Sequence, residues 1–359
     1  MGFTEILASQ GVTVKQWDAD CNKRYLRQLF WNRFMSTSMN SPIQVKSDLT
    51  KTKGDAMTFN IASEIVGGVV TGSAKVSGNE GVMHFAPFQV TVDNDNVSVR
   101  VENIPMTQQR AAFDTLKEAR DGLARKRAQR TDERITSALS DITAGRVKGR
   151  YVYGVAPSTN WNATHATALA NVDNTDDKLT TNIIDIAKEY AKIPQNATGK
   201  IRPMIVKDRD EEDGYQEWFL MAAHTYAIRD MVNLDAVWRQ PMLLIPPMAN
   251  KNNVLFTGSS FKGAYNAVLV HEWEGMGLET NSNSVQCSHN LLLGAQAGCI
   301  AWAQHSRFKE ELDNYEEDAG YKLHEINGIK KVVYDFNAVN GESNEDYGII
   351  HVYTAAVGR

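Results

Sequence analysis

The chain has 359 residues, 42% of them hydrophobic, and its 38 basic and 43 acidic side chains leave a formal net charge of −5. A chain of this length and apolar content can bury a large core, which excludes an intrinsically disordered protein. The mild negative charge argues against bulk binding to nucleic acid or to a membrane surface, so any basic patch must be local.

The cysteines and the apolar runs indicate a protein that is made and kept in the cytoplasm. Cys21, Cys287 and Cys299 are an odd number at unrelated spacings, which favours buried, reduced thiols over a disulfide framework. The first ten residues show no signal-peptide pattern. The longest uncharged apolar stretch, from Leu291 to Ala303, is shorter than the ~18 residues that span a bilayer, so we expect no membrane anchor.

Residues 1–50 are predicted to form an extended arm. One short amphipathic helix is predicted within the arm in DCNKRYLRQLFWNRFM, ahead of Pro42. The apolar residues at helical spacing in that stretch are Tyr25, Leu26, Leu29, Phe30 and Phe34.

From Gly54 the apolar period changes to two, which predicts a pair of strands. The alternating apolar residues are Met57, Phe59 and Ile61 in the first strand and Phe88, Val90 and Val92 in the second. After the second strand the apolar parity shifts, so Asp93 to Asn96 form either a four-residue turn or a β-bulge.

The two strands are joined by GGVVTGSAKVSGNEG, which contains five glycines and few large apolar side chains. Too little apolar surface is available within this stretch to offset the entropy of ordering it. The pattern predicts a flexible loop tip whose partner is another molecule. The predicted inter-subunit contact residues in the tip are Gly67, Gly68, Gly78, Asn79 and Glu80.

A single long helix is predicted from Thr107 to Ala144, because little interrupts the helix-forming sequence there. At 1.5 Å per residue it would be about 55 Å long. Its middle, ARKRAQRTDER, offers almost no apolar stripe to a core. We therefore predict that Arg125, Arg127 and Arg130 form ion pairs with a neighbouring chain, with phosphate contact as the less favoured alternative.

The remainder of the chain mixes helices and strands. Residues 146–178 lack a clear period and are predicted to be loop-rich. A helix is predicted from Thr181 to Ile193 and another in HTYAIRDMVNLDAVW, with strands RPMIV and WFLMA on either side of the acidic turn KDRDEEDG. Strands are also predicted in LLLGAQAGCIAWA, KKVVYDF and YGIIHVYTA, which makes the chain α+β.

The most enzyme-like fragment is VHEWEG, which contains His271 and Glu272. A zinc-protease helix needs a second His four residues after the first, and that position is Gly275. Cys287 and His289 form an isolated pair, whereas a structural zinc site needs four ligands. We predict no catalytic, cofactor or metal site, and keep a metal-dependent hydrolase using His271, Glu272 and His289 as an alternative.

The order of these parts resembles that of the major capsid proteins of tailed bacteriophages. More specifically, the sequence is similar to the family typified by the coat protein of a virulent podovirus of enteric bacteria. It departs from that family in residues 146–178 and at Thr225, where the family often has proline after a histidine. The matching stretches are KTKGDAMTFNI, SGNEGVMHFAPFQVTVDNDNVSVRVENIPMTQQRAAFDTLKEARDGLARKRAQRTDERITSAL, NNVLFTGSSFKGAYNAVLVHEW, LLLGAQAG and NGIKKVVYDFNAVNGESNEDYGIIHV.

The resemblance implies the tailed-phage major capsid fold, with five parts in chain order. Residues 1–50 would be an N-terminal arm and residues 51–105 an extended β loop (E-loop). Residues 106–178 would hold the spine helix and the first part of the peripheral domain. Residues 179–325 would form the axial domain, and residues 326–359 would return to the peripheral domain.

The resemblance also implies a structural role without enzymatic activity. Copies of the chain would assemble in the host bacterial cytoplasm as hexamers and pentamers, forming the icosahedral virion capsid around double-stranded DNA. A separate scaffolding protein and a portal are the implied partners, DNA contact would be weak and non-specific, and a decoration protein is left open. A tail-tube or nanocompartment shell subunit is the other alternative.

Overall fold

Two β-sheets, a β-hairpin and one long helix organise the part of the chain that the structure describes. The structure is a computed structural model, and it describes residues 29–48, 54–62, 68–73, 75–81, 85–143, 146–193, 199–207, 215–239, 255, 259–334 and 345–358. Among the helices in those ranges, none is both long and apolar enough to cross a membrane.

The strands and helices are numbered in chain order. The strands are β1 (Met35–Ser36), β2 (Ile43–Lys46), β3 (Ala56–Ala62), β4 (Phe85–Thr91), β5 (Asp93–Val101), β6 (Tyr151–Tyr153), β7 (Met204–Lys207), β8 (Tyr215–Ala223), β9 (Phe261–Tyr265), β10 (Val268–Glu272), β11 (Leu278–Thr280), β12 (Gln286–Leu293), β13 (Gly298–Asp313), β14 (Asp318–Lys331), β15 (Val333–Tyr334), β16 (Glu345–Asp346) and β17 (Ile349–Ala355). The helices are α1 (Ile104–Arg110), α2 (Thr115–Leu139), α3 (Pro157–Asn160), α4 (His165–Ala170), α5 (Thr181–Lys192) and α6 (Thr225–Leu234), with short 3-10 turns at Trp31–Phe34 and Lys148–Arg150.

The first sheet has five strands in the order β1-β2-β13-β14-β5. The long strands β13 and β14 form an antiparallel hairpin, and β5 pairs antiparallel with β14. Helix α2, called the spine helix below, packs on one face of this sheet. Its Leu123 is buried there against Tyr321 and Leu323 of β14.

The predicted single helix from Thr107 to Ala144 is wrong, because the structure breaks it into α1 and the spine helix. Ala111 has an extended backbone, and the Asp114 side chain caps the spine helix by accepting the Lys117 N–H over 3.0 Å. Gln108 bridges the break through hydrogen bonds to Phe113 and Thr115. The sequence signal was Asp114 itself, a favoured residue at a helix N-terminus.

The period-two segments form the predicted antiparallel pair, β3 and β4, with Met57 opposite Val90 and Phe59 opposite Phe88. Strand β5 begins at Asp93, two residues after β4 ends, and pairs with β14 instead of with β3. The shift of parity at Asp93 therefore marks a change of sheet. Both predicted alternatives, a four-residue turn and a β-bulge, are wrong, because Asp93 to Asn96 pair with β14 without a shift of register.

The second sheet has eight strands, in the order β6-β17-β12-β8-β10-β9, with β7 paired to β8 and β11 paired to β12. One face is covered by α5 and α6, whose Ile184 and Met231 are fully buried in the core beneath them. The opposite face packs against Trp31 and Phe34 from the N-terminal segment and against Ile135 of the spine helix. The N-terminal segment therefore joins the two sheets.

Sheet membership does not follow the predicted boundary at residue 325. Strands β13 and β14 lie in the sheet that carries the spine helix, and β17 lies in the eight-stranded sheet between β12 and β6. Within 146–178, predicted to be loop-rich, β6 pairs in parallel with β17. Its Val152 is fully buried, so this segment contributes to the core.

The described cysteines behave as small buried hydrophobes, as predicted. Cys287 and Cys299 are buried free thiols, and burial raises the pKa of each to about 12. Cys21 lies outside the described residues, as does most of the amphipathic helix predicted in the arm.

Candidate assembly surfaces

The β3–β4 hairpin is anchored at its base. Met57, Phe59, Ile61 and Val90 are buried in one cluster with residues of β13 and with Tyr347. Four buried apolar side chains hold the two strands firmly on the body of the protein. The buried base therefore holds the far end of the hairpin in a defined position relative to the body of the protein.

The far end, residues 68–81, is called the loop tip. Gly68 and Gly81 lie side by side at its neck, where a Cβ on Gly68 would fall 2.5 Å from the Gly81 nitrogen. Gly68 also has a φ of +77°, and Gly78 has a φ of +90°. These positions need glycine because L side chains rarely adopt such backbone conformations.

Predicted contact residues of the loop tip form a small hydrogen-bonded turn. The Asn79 N–H donates to the Val76 carbonyl over 2.9 Å, and the Gly78 N–H donates to Glu80 Oε2 over 2.8 Å. The Asn79 side chain donates to the Lys75 carbonyl over 3.0 Å. Gly67, the fifth predicted contact residue of the tip, lies outside the described residues.

The loop tip exposes two of its valines, and a phenylalanine close to the tip is exposed as well. Val69 is 88% exposed, Val76 is 64% exposed, and Phe85, at the start of β4, is 71% exposed. Apolar side chains of this size gain about 1.5–3 kcal/mol each when they are fully buried. The tip thus offers an apolar surface that its own chain leaves uncovered.

The outer face of the spine helix is charged. Arg125 pairs with Glu118 on the same helix, and both side chains are more than half exposed. Arg130 lies 3.6 Å from Asp95 and is half exposed. Both arginines remain accessible on the surface, so their predicted contact with a neighbouring chain stays a prediction.

Arg127, the third predicted contact residue of the spine helix, must be reassigned to the interior of its own chain. Its side chain is fully buried and forms ion pairs with Glu325, which is also fully buried, and with Asp95. A guanidinium enclosed in this way is not available to a second chain. The expectation that the middle of the helix contributes little to the core is wrong for the same reason.

The buried face of the spine helix carries arginines seven residues apart, each opposite an acidic or polar partner. Arg120 pairs with Glu310 over 3.1 Å and Arg134 pairs with Asp95 over 3.0 Å, on either side of Arg127. Residues seven apart lie on one face of an α-helix. This spacing was visible in the sequence, but the acidic partners were not.

The spine helix also holds the N-terminal segment. The buried Asp132 carboxylate accepts the Phe30 and Trp31 N–H groups over 2.8 and 3.2 Å. Burial raises the pKa of Asp132 to about 6. Thr136 Oγ1 accepts the indole N–H groups of Trp31 and Trp273 over 3.0 and 3.1 Å, which ties the N-terminal segment and the end of β10 to the spine helix.

A chain of buried titratable groups runs from the eight-stranded sheet through β16 to the end of β14. His289 Nε2 is 2.8 Å from His351 Nδ1, and His351 Nε2 is 3.1 Å from Asp346 Oδ2. Asp346 is held in turn by the Lys331 ammonium, 2.7 Å away. Burial lowers the pKa of both histidines well below the usual range, so both rings are neutral at pH 7.

The geometry gives the hydrolase alternative no support. His271 lies on β10 and His289 lies on β12, with β8 between them. His271 contacts the Leu255 carbonyl over 3.0 Å and the Ser260 hydroxyl, whereas His289 contacts His351. The described residues contain no group of three or more His, Cys, Asp or Glu side chains placed to hold a metal ion.

A hairpin anchored in the core, a spine helix on a long sheet and an eight-stranded sheet are the main parts of this architecture. A family model described as phage capsid protein matches residues 6–358. Because that match spans nearly the whole sequence, the chain belongs to the phage capsid protein family. No curated protein matches the chain significantly.

Solved structures share this architecture. The capsid of Ralstonia phage GP4 is 20% identical, with a TM-score of 0.73 over 92% of this chain and 91% of that chain. The cyanophage Pam1 capsid is 21% identical, with a TM-score of 0.72 over 100% of both chains. The acidic stable capsid of Helicobacter pylori bacteriophage KHP30 is 14% identical, with a TM-score of 0.66 over 99% of this chain and 94% of that chain. The predicted α+β capsid fold is confirmed.

Proposed function

We propose that this chain is the major capsid protein of a tailed phage and that its copies form the icosahedral shell around a double-stranded DNA genome. Membership of the phage capsid protein family supports the structural role. The observation that carries the assembly mechanism is the loop tip, with Val69 and Val76 exposed at the end of a hairpin whose base is buried. We propose no catalytic step for the chain.

The loop tip lies on an adjacent subunit in the assembled shell. Burial of Val69, Val76 and Phe85 against that neighbour supplies the free energy that orders the tip. In a ring, the loop of each subunit lies on one neighbour, and the loop of the other neighbour lies on that subunit. The free energy of burial is therefore gained at every contact between subunits.

The glycines of the loop tip let the same loop adopt different conformations in hexamers and in pentamers. Hexamers and pentamers present a neighbouring subunit at different angles, and the neck at Gly68 and Gly81 is where the loop can bend. Gly72 and Gly78 have open space around their α-carbons, so the tip can change direction there without a steric clash.

The finer parts of the proposal rest on the sequence resemblance. The sequence resembles the family typified by the coat protein of a virulent podovirus of enteric bacteria. Assembly takes place in the host cytoplasm with a separate scaffolding protein and a portal, and the mature chain resides in the virion capsid. Packaged DNA makes weak, non-specific contact with the wall.

Electron microscopy of the expressed protein tests this proposal, with and without its scaffolding protein. The unaltered chain should form closed shells, and tubes or unassembled subunits would contradict it. The double variant Val69→Asp, Val76→Asp should keep the melting temperature of the free subunit, because both side chains are exposed, and should prevent closure of the shell. Normal shells from that variant would remove the loop tip from the mechanism.

A further inference from the structure

Four basic side chains converge on the exposed face of the five-stranded sheet, on the side away from the spine helix. The register of β13 and β14 places Arg307 directly opposite His324 and Lys309 directly opposite Lys322. The residues that alternate with them, among them Phe308, Leu323 and Tyr321, are buried in the cluster beneath the spine helix. Because side chains alternate between the two faces of a strand, the four basic groups share the outer face, and together they are called the basic strip.

The charges of the basic strip are not neutralised within the described part of the chain. No ion pair within 4 Å is found there for Arg307, Lys309 or Lys322, and His324 contacts the neutral Asn96 over 2.8 Å. Like charges that face each other across strands destabilise a sheet. An anion from outside the chain would remove that cost.

The acidic groups on the outer face gather around Arg100 of β5, at the end of the basic strip away from Arg307. The Arg100 guanidinium lies within 4 Å of three carboxylates, those of Asp318 at 2.8 Å, Asp313 at 3.4 Å and Glu102 at 3.9 Å. Glu311 lies two residues beyond Lys309 on the same strand, at the edge of the strip. Asp95 and Glu325 point to the other face, where they pair with arginines of the spine helix. Arg307, Lys309 and Lys322 therefore carry a local charge of about +3, or +2 with Glu311 included, whereas the three carboxylates around Arg100 leave an excess of about two negative charges at the far end of the face.

The arginines of the spine helix were the sequence-based candidates for phosphate contact. They are less suited to bind phosphate than the basic strip is. Arg127 and Arg134 are paired with acidic residues of the sheet, and Arg125 is paired with Glu118. On the opposite face of the same sheet, the strand register brings close together three cations that have no ion pair among the described residues.

We propose that the basic strip contacts the phosphate backbone of duplex DNA enclosed by the shell, an inference that rests on the proposed function. Side chains two apart on a strand are ~6.8 Å apart and opposite pairs are ~5 Å apart, so the strip is a flat, closely spaced set of cations. Such a set neutralises two or three phosphates of a duplex that carries one charge per ~1.7 Å. Contacts of this kind hold DNA weakly and without sequence preference, which suits a wall that must release its genome.

Fluorescence anisotropy with a fluorescent duplex, titrated with full-length free subunits at several salt concentrations, tests the proposal. The slope of log affinity against log salt should lie between about −2 and −3, by the counterion-release rule. The triple variant Arg307→Gln, Lys309→Gln, Lys322→Gln should lose at least tenfold in affinity at low salt and most of the slope. The matched control Lys117→Gln, Arg125→Gln, Lys126→Gln removes the same charge from the exposed face of the spine helix and should stay within twofold of the unaltered chain.

A second variant keeps the test valid if the triple variant folds poorly. Lys309→Glu creates an opposite-charge pair with Lys322, so it should raise the melting temperature while weakening DNA binding. Unchanged DNA binding in that variant, or an equal loss in the control, would overturn the proposal.

Shell formation separates the two proposals. Normal empty shells from the strip variants, together with weakened DNA binding, support the DNA contact. Loss of shells from the strip variants alone would mean that the basic strip is a contact between subunits, and would overturn the DNA contact while leaving the proposed function intact. Failure of the unaltered chain to form shells would overturn the proposed function, whatever the DNA titration gives.

Discussion

Arg127 on the spine helix and Glu325 on β14 form an ion pair in which both side chains are fully buried. They lie 198 residues apart in the sequence, and Asp95 adds a second carboxylate 3.1 Å from the guanidinium. A buried charge without its partner lowers the stability of the folded state strongly. The ion pair therefore fixes the position of the spine helix on the sheet. A helix with a polar middle is thereby held to its own domain by charge as well as by apolar contacts.

Replacement of Arg127 by Ala should destabilise the free subunit strongly. The change leaves Glu325 buried without its partner, and breaking a buried pair in this way costs about 3–5 kcal/mol. Arg125→Ala is the matched control, because it removes an arginine two residues away whose pair is exposed and is worth less than about 1 kcal/mol. Thermal or urea unfolding of the free subunits measures the difference, and equal stability of the two variants would contradict the assignment of Arg127 to the interior.

Asp132 should make the free subunit less stable as the pH rises through about 6. Its folded pKa of about 6 lies above the ordinary value of 3.8, so the folded state binds the proton more tightly. The stabilisation is complete below about pH 3.8 and is lost as the pH rises through the folded pKa. Asp132→Asn, which mimics the protonated group, should therefore be more stable than the unaltered chain at pH 7.5, by about 2–3 kcal/mol.

That advantage of Asp132→Asn should shrink to near zero by pH 4. Unfolding free energies of both chains, measured in urea between pH 4 and 8, give the comparison. A constant difference across that range would show that the carboxylate is ionised throughout, held by the N–H groups of Phe30 and Trp31.

The buried histidine pair should act in the opposite direction. Burial, and for His289 also the neighbouring His351, lowers both pKa values well below 6.5, so the folded state binds fewer protons than the unfolded state. Their contribution to stability is present above about pH 6.5 and is lost as the pH falls. His289→Gln cannot gain a proton, so the stability of the unaltered chain relative to this variant should fall between pH 7 and 5. A relative stability that rises over that range would contradict neutral histidines, and subtraction of the two chains removes the opposing effect of Asp132.

The loop tip should become protected from hydrogen exchange only on assembly. Val69 and Val76 are exposed in the single chain, and the described residues between 68 and 81 form few hydrogen bonds. Exchange measured on free subunits and on shells should differ in these residues much more than in β3 and β4. Strong, equal protection in both states would mean that the tip is ordered by its own chain.

Local patterns predicted the elements that depend on neighbouring residues. The period of two in Met57, Phe59 and Ile61 predicted β3, and the 3.6 period of the segment after Thr181 predicted α5, because each element buries one face. Asp114 carried the signal for the helix break, but a run of good helix formers on both sides of it outweighed that signal.

Local sequence patterns could not predict structural features that depend on residues far apart in the sequence. The burial of Arg127 depends on Glu325, and the strand status of β6 depends on its pairing with β17, close to the C-terminus. The basic strip exists only because the register of β13 and β14 brings Lys309 opposite Lys322. The five glycines predicted the location of the loop tip, whereas the sequence carries no signature of a surface on which the tip would lie.

The proposed assembly mechanism depends most directly on where the loop tip lies in the assembled particle. A cryo-electron microscopy map of the shell, at a resolution that traces the main chain, gives that position for every subunit. The predicted result is that residues 68–81 of each subunit lie on an adjacent subunit, with Val69 and Val76 covered, in hexamers and pentamers alike. A tip that folds back on its own chain, or that projects into solvent in every subunit, would contradict the account.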